Sequence, residues 1–197
     1  MSQAVIESVA VPDTAAQPLI PPRLVLYPAT ALLLLVIAIA SNALWPLDFL
    51  HVFFGAIWTG ADLFAGFLIG PVVRRLDPPV RKAFMQRYMP KMLVLMPTLA
   101  TMTLTAGFQL ARKTDVLTTA YPRHWWLVSS YVIVGVMATL AFAVMLPANL
   151  QVLNELRKEA PNGQLIGTLM ARYSIFAAVL GCMQLGTIIV MSRLATF

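Results

Sequence analysis

Five stretches of this chain run for about twenty residues or more with almost no charge, and that pattern decides the fold class first. They cover residues 24–44, 49–73, 90–111, 124–147 and 173–194. A helix needs about 20 apolar residues to cross the hydrocarbon core of a bilayer. Inside lipid the backbone must bond to itself, which leaves helices or closed barrels. Alternating strands of about ten residues, the mark of a barrel, are absent. The chain therefore reads as all-α: a polytopic membrane protein of five transmembrane helices.

Composition agrees. Of 197 residues, 59% are hydrophobic and 11% charged. A soluble domain is about 25% charged. Too little polar material is present to cover a water-facing surface, which excludes a soluble enzyme and a disordered tail. Cys182 is the only cysteine, so no intrachain disulfide can form. The segment 1–22 has acids, four prolines and no basic residue, unlike a signal peptide. It reads as a disordered leader that stays on the protein, followed by a single transmembrane domain over 23–197.

The net charge of +6 carries topology information rather than a nucleic-acid signal. Ten basic residues fall on the N-terminal side of the spans, six of them between Arg74 and Lys91. Four fall on the opposite side: Arg112, Lys113, Arg123 and Arg193. The positive-inside rule then puts the N-terminus in the cytoplasm and the C-terminus outside. A bacterial-type cytoplasmic (inner) membrane is the expected location. Pro46 marks a tight turn at Trp45–Asp48 between the first two spans. Beyond the fourth span an amphipathic helix is expected up to the breaker Pro161-Asn162-Gly163.

Span two carries the polar residues that stand out. Asp62 lies near its midpoint, where an ionised acid costs about 2.5–3.5 kcal/mol. No Lys or Arg lies at matching depth. Asp62 must stay protonated or find polar partners, and Thr101 and Gln184 sit at the same depth in spans three and five. It is either a proton-carrying or ligand-binding acid, or polar glue between helices. His51, Gly55, Trp58, Asp62, Gly66 and Ile69 recur at helical spacing, one stripe of a core-facing helix. Gly66 and Gly70 form a GxxxG that admits a close neighbour. In span four, His124, Tyr131 and Gly135 form the corresponding inward stripe. Span one lacks a polar stripe, so spans two to five are expected to form a four-helix core bundle with span one outside.

Both histidines fall in one leaflet, an arrangement suited to a b-type haem or a copper site. Each is equally at home as a half-polar ring at the interface. Met191 lies at their level and offers a soft ligand, so His51, His124 and Met191 are the candidate metal set. The other methionines read as core filler.

The segment His51-Val-Phe-Phe-Gly55-Ala-Ile-Trp58-Thr-Gly60 resembles the opening of the copper-resistance-D-like membrane proteins. A similar His and Trp-x-Gly arrangement occurs in HemJ-type protoporphyrinogen oxidases. Gly70-Pro71, the helix with Pro97, Thr101, Thr105 and Gly107, and Asn149-Leu-Gln through Arg172-Tyr173 continue the likeness. The resemblance implies that His51 is a candidate haem ligand. The chain departs from the HemJ-type pattern in lacking a further helix-borne histidine, and Asn154-Glu155 is a faint echo of its late motif.

The expected function is binding of a haem (haem b) or quinone-like redox ligand within the bundle, as a subunit or accessory of an electron-transfer system. His51, Trp58 and His124 would contact the ligand, and Asp62, Thr101 and Gln184 would form the polar core. Expected partners are the lipid bilayer and other membrane or electron-transfer subunits, with no nucleic acid. Two alternatives stay open: a copper-handling permease or chaperone, and a structural assembly partner without a ligand. The residues do not decide whether a reaction is catalysed.

Overall fold

The computed structural model describes residues 20–114, 116–118, 120–158 and 161–196. Five helices carry the fold: α1 (Pro22–Ala40), α2 (Leu44–Arg75), α3 (Pro78–Lys113), α4 (Arg123–Leu156) and α5 (Gly163–Ala195). A short 3₁₀ turn, Val116–Thr118, lies between α3 and α4. All five are long and apolar enough to cross a bilayer. Large apolar side chains such as Leu33, Val36, Phe67, Val132 and Ile189 are exposed along their lengths. Surface of that kind is stable against lipid and not against water. The chain is a multi-pass membrane protein. Most of the expected leader, residues 1–19, lies outside the described residues.

The helices run further than the apolar stretches. At 1.5 Å per residue, the 32 to 36 residues of α2–α5 are about 48–54 Å long, well beyond a hydrocarbon core of about 30 Å. Helix α3 starts at Pro78 rather than near residue 90, and α5 at Gly163 rather than near residue 173. Proline suits the start of α3 because the first N–H groups of a helix have no acceptor to lose. The basic segment is thus two helix ends flanking Leu76 and Asp77. Asn162 caps α5 by accepting bonds from the Gln164 and Leu165 N–H groups at 3.1 and 3.0 Å. Glu155 accepts from the Asn162 N–H at 3.0 Å and pairs with Lys158. That fixes the connection between α4 and α5.

The first turn differs from expectation. It is made by Ser41-Asn42-Ala43, with Asn42 at a φ of 58°. Trp45 and Pro46 belong to the first turn of α2. A proline there starts a helix instead of ending one. Lys113 Nζ donates to Asn42 Oδ1 at 2.8 Å and ties the end of α3 to this turn.

Helices α2–α5 share the main core, which includes Trp58, Ala65, Met85, Leu99, Met137 and Leu180. Helix α1 stands outside it. Its Ala31, Leu35 and Ala38 pack on Leu47 and Leu50 of α2 and on Met102 and Ala106 of α3. Helix α2 fits between α3 and α5, and α5 lies against α4. The second half of α4 returns to touch α3, while its first half packs mainly on α5. The buried face of that first half is Leu127, Ser130 and Met137. Tyr131 is exposed and Gly135 meets open space, so the expected stripe of span four faces outward. Depth follows from counting residues, but rotation about the axis is set by which neighbour a helix finds.

Two wide turns interrupt the α pattern: π-helical segments at Phe64–Ile69 in α2 and Leu140–Met145 in α4. Such turns rotate the residues that follow them and recur at functional sites. Gly66, within the first, and Gly70, directly after it, meet α5. A Cβ on Gly66 would fall 2.5 Å from the Ala178 backbone nitrogen, and one on Gly70 would run into Ser174 Cβ. The two backbones approach this closely because neither glycine has a side chain.

Candidate functional site

Asp62 is wholly buried, at 0% exposure, near the middle of α2. Gln184 of α5 donates from Nε2 to Asp62 Oδ2 at 2.8 Å. Trp58, one turn earlier on the same face, is buried beside the carboxyl. Among the described residues, Asp62 Oδ1 and Gln184 Oε1 have no hydrogen-bond partner, and no Lys or Arg pairs with the acid. A polar group left this way in a low-dielectric interior costs free energy. Such atoms mark where another molecule completes the site.

Two further buried polar atoms without partners lie nearby: Asn149 Oδ1 of α4 and the Tyr173 hydroxyl of α5. Asp62, Asn149 and Tyr173 line one cavity of about 40 Å³ with Trp58, Met96 and Phe142. That volume admits two or three water molecules. Phe142, which is 45% exposed, stands at its lipid-facing side. Three of the lining residues, Ala141, Phe142 and Met145, belong to the π-helical segment of α4. The wide turn shapes this wall and precedes Asn149 by one turn. Polar groups from α2, α4 and α5 thus border one cavity in an otherwise apolar frame, the usual form of a small-molecule site.

The other expected residues lie elsewhere. Thr101 is exposed on α3 and stands apart from the buried carboxyl. His51 is half-buried between α2 and α3, with Nδ1 2.9 Å from the Thr103 carbonyl oxygen. A carbonyl only accepts, so Nδ1 carries the hydrogen and Nε2 the lone pair. The ring lies over Gly107, where a Cβ would sit 2.6 Å from it. His124 is exposed on the first turn of α4, edge-on to Trp125. Met191 is partly exposed near the end of α5. Among the described residues, His51, His124 and Met191 share no hydrogen bond or ring contact. Met85, Met89 and Met102 are buried as core filler.

His51 does not line the cavity beside Asp62. No group of three or more His, Cys, Asp or Glu residues among the described residues is placed to hold a metal ion.

Two residues of the cavity were not singled out as site residues by sequence reasoning. Asn149 lies beyond a π turn, whose extra residue breaks the 3.6-residue pattern. Tyr173 stands at the edge of an apolar stretch, beside Arg172, and reads as an interfacial residue. The one available signal is that both are hydrogen-bonding residues bordering spans that are otherwise apolar.

No protein-family model matches this chain, and no curated protein or solved structure shows a significant match to it.

Proposed function

We propose that this multi-pass membrane protein binds a quinone-like redox ligand at the cavity beside Asp62 and exchanges a proton with it there. The observation that carries this reading is the buried Asp62 carboxyl, whose Oδ1 has no hydrogen-bond partner, in the wall of a cavity that Phe142 borders on the lipid side. A quinone ring is a flat apolar body with a carbonyl oxygen at each end. Its ring would sit at the Phe142 side, and one oxygen would reach Asp62, Asn149 or Tyr173. Trp58 would pack on the ring. Electrons would come from a redox partner in the membrane, and Asp62 would supply or accept the proton. Gln184 is a positioning residue, because its amide holds one carboxylate oxygen and leaves the other free.

The basic asymmetry supports the orientation proposed for this protein in a bacterial-type inner membrane. The end bearing Arg74, Arg75, Arg81 and Lys82 would be cytoplasmic.

Trp58 reports on the site. With Trp45, Trp125 and Trp126 replaced by Phe, the remaining fluorescence comes from Trp58. Titrating a decyl-tailed benzoquinone into vesicles should quench it saturably, and Asp62→Leu should weaken half-saturation at least fivefold. Quenching that rises linearly, as for a free indole in the same vesicles, would overturn the reading.

A second reading rests on His51, whose Nδ1 bond leaves Nε2 available for a soft metal. Copper(I) binding that is lost in His51→Ala would favour copper handling over the quinone site.

A further inference from the structure

We propose that Tyr173 and Tyr88 form a proton relay joining Asp62 to the basic end of the bundle. This rests on the reading of Asp62 as a proton-exchanging group and adds the route by which its proton arrives.

Tyr173 is the shared wall of two cavities. The first holds Asp62 and Asn149. The second, about 10 Å³, lies between α2, α3 and α5 and is lined by Tyr88, Tyr173, Ser174, Arg74 and Arg81 among others. It is large enough for about one water molecule. Tyr173 is only 4% exposed, and its hydroxyl meets no full hydrogen-bond geometry in the interior. Tyr88 of α3 is its polar neighbour. Arg74 is exposed and Arg81 half-buried, so the far wall of the second cavity reaches the surface.

The spacing suits a path across half the membrane. Asp62 and Arg74 are twelve residues apart on α2, about 18 Å along the axis. Tyr173 lines both cavities and Tyr88 the second, so the two hydroxyl-bearing rings lie between the carboxyl and the basic end. The groups that face the route are Asp62 and Arg74 from α2, Arg81 and Tyr88 from α3, Asn149 from α4 and Tyr173 from α5. Ser174 is already engaged, donating to the Ala171 carbonyl. Toward the opposite end, Thr187 bonds the Met183 carbonyl and lies beside Met137 sulfur.

The transfer conserves each hydroxyl. A proton entering between Arg74 and Arg81 passes by water to the Tyr88 oxygen as Tyr88 releases its own proton to the Tyr173 oxygen. Tyr173 releases its proton by water to Asp62 Oδ1. Both hydroxyls then rotate back, and one proton has moved from the surface to the carboxylate.

Infrared spectra of the protein in vesicles, switched from H₂O to D₂O without any quinone, follow exchange at Asp62. Subtracting the Asp62→Asn spectrum assigns its carboxyl band. Tyr173→Phe and Tyr88→Phe keep the rings and should each slow the exchange at least tenfold at unchanged melting temperature. Tyr131→Phe, on the exposed face of α4, should leave it unchanged. Wild-type exchange in either of the first two variants would overturn the relay. So would the lack of a protonated carboxyl band at every pH at which the protein stays folded. Because no quinone is present, a failed relay leaves the Trp58 titration standing, and a failed titration leaves the exchange rates interpretable.

Discussion

Asp62 is held at mid-membrane by the Gln184 amide with Trp58 beside it, and that arrangement separates two roles the carboxyl can play. Asp62→Asn keeps size and hydrogen bonding but has no proton to release. It should melt with wild type in a thermal scan while any proton-coupled turnover is lost. Asp62→Leu removes the bond to Gln184 and should lower stability by about 1 kcal/mol, as for other interhelical bonds in lipid. Turnover retained in the Asn variant would reduce Asp62 to a structural contact. At this scale the sequence shows depth and little else. Asp62, Thr101 and Gln184 all lie at one level, because level is a count along a helix. Gln184 faces the acid and Thr101 faces outward, because α5 and α3 are turned by their neighbours. No single-residue property records that turn.

At the scale of elements, glycines and wide turns decide what the helices bring together. Gly66 and Gly70 let α2 lie against Ala178 and Ser174 of α5. Gly66→Val would force its Cβ into the Ala178 backbone, which cannot move aside as a flexible side chain can. The expected cost is about 1–3 kcal/mol, read as a lower melting temperature in detergent. Gly60→Ala, which meets open space, is the matched control and should be near neutral. The GxxxG spacing is readable in the sequence because it needs only a helix. The π-helical segments are not, since Phe64–Ile69 and Leu140–Met145 carry ordinary apolar residues. Their consequence in α4 is that Asn149, which follows the wide turn, lines the cavity.

The whole molecule is the most legible level. Five apolar stretches must become five helices, and the one without a polar stripe, α1, lies outside the main core. Helix length is less legible, because a helix that leaves the bilayer no longer needs apolar residues. Tyr88 therefore sits within a helix whose first turns look like loop. The distribution of charge predicts that the junction of α2 and α3 faces the cytoplasm. A thiol introduced by Pro79→Cys in a Cys182→Ser background should resist impermeant reagents added to intact cells and react after lysis. Rapid labelling of intact cells would invert the orientation and place the entrance of the relay outside.

Phe142, at the lipid-facing side of the Asp62 cavity, sets the phase from which an occupant arrives. A molecule that enters past it travels in the plane of the bilayer, and the reservoir it equilibrates with is the lipid. Occupancy is then governed by mole fraction in the membrane and not by concentration in buffer. Diluting vesicles with buffer should leave Trp58 quenching by a strongly partitioning quinone unchanged, whereas adding quinone-free lipid that mixes with them should lower it in proportion. Dependence on aqueous volume instead would show that the occupant enters from water.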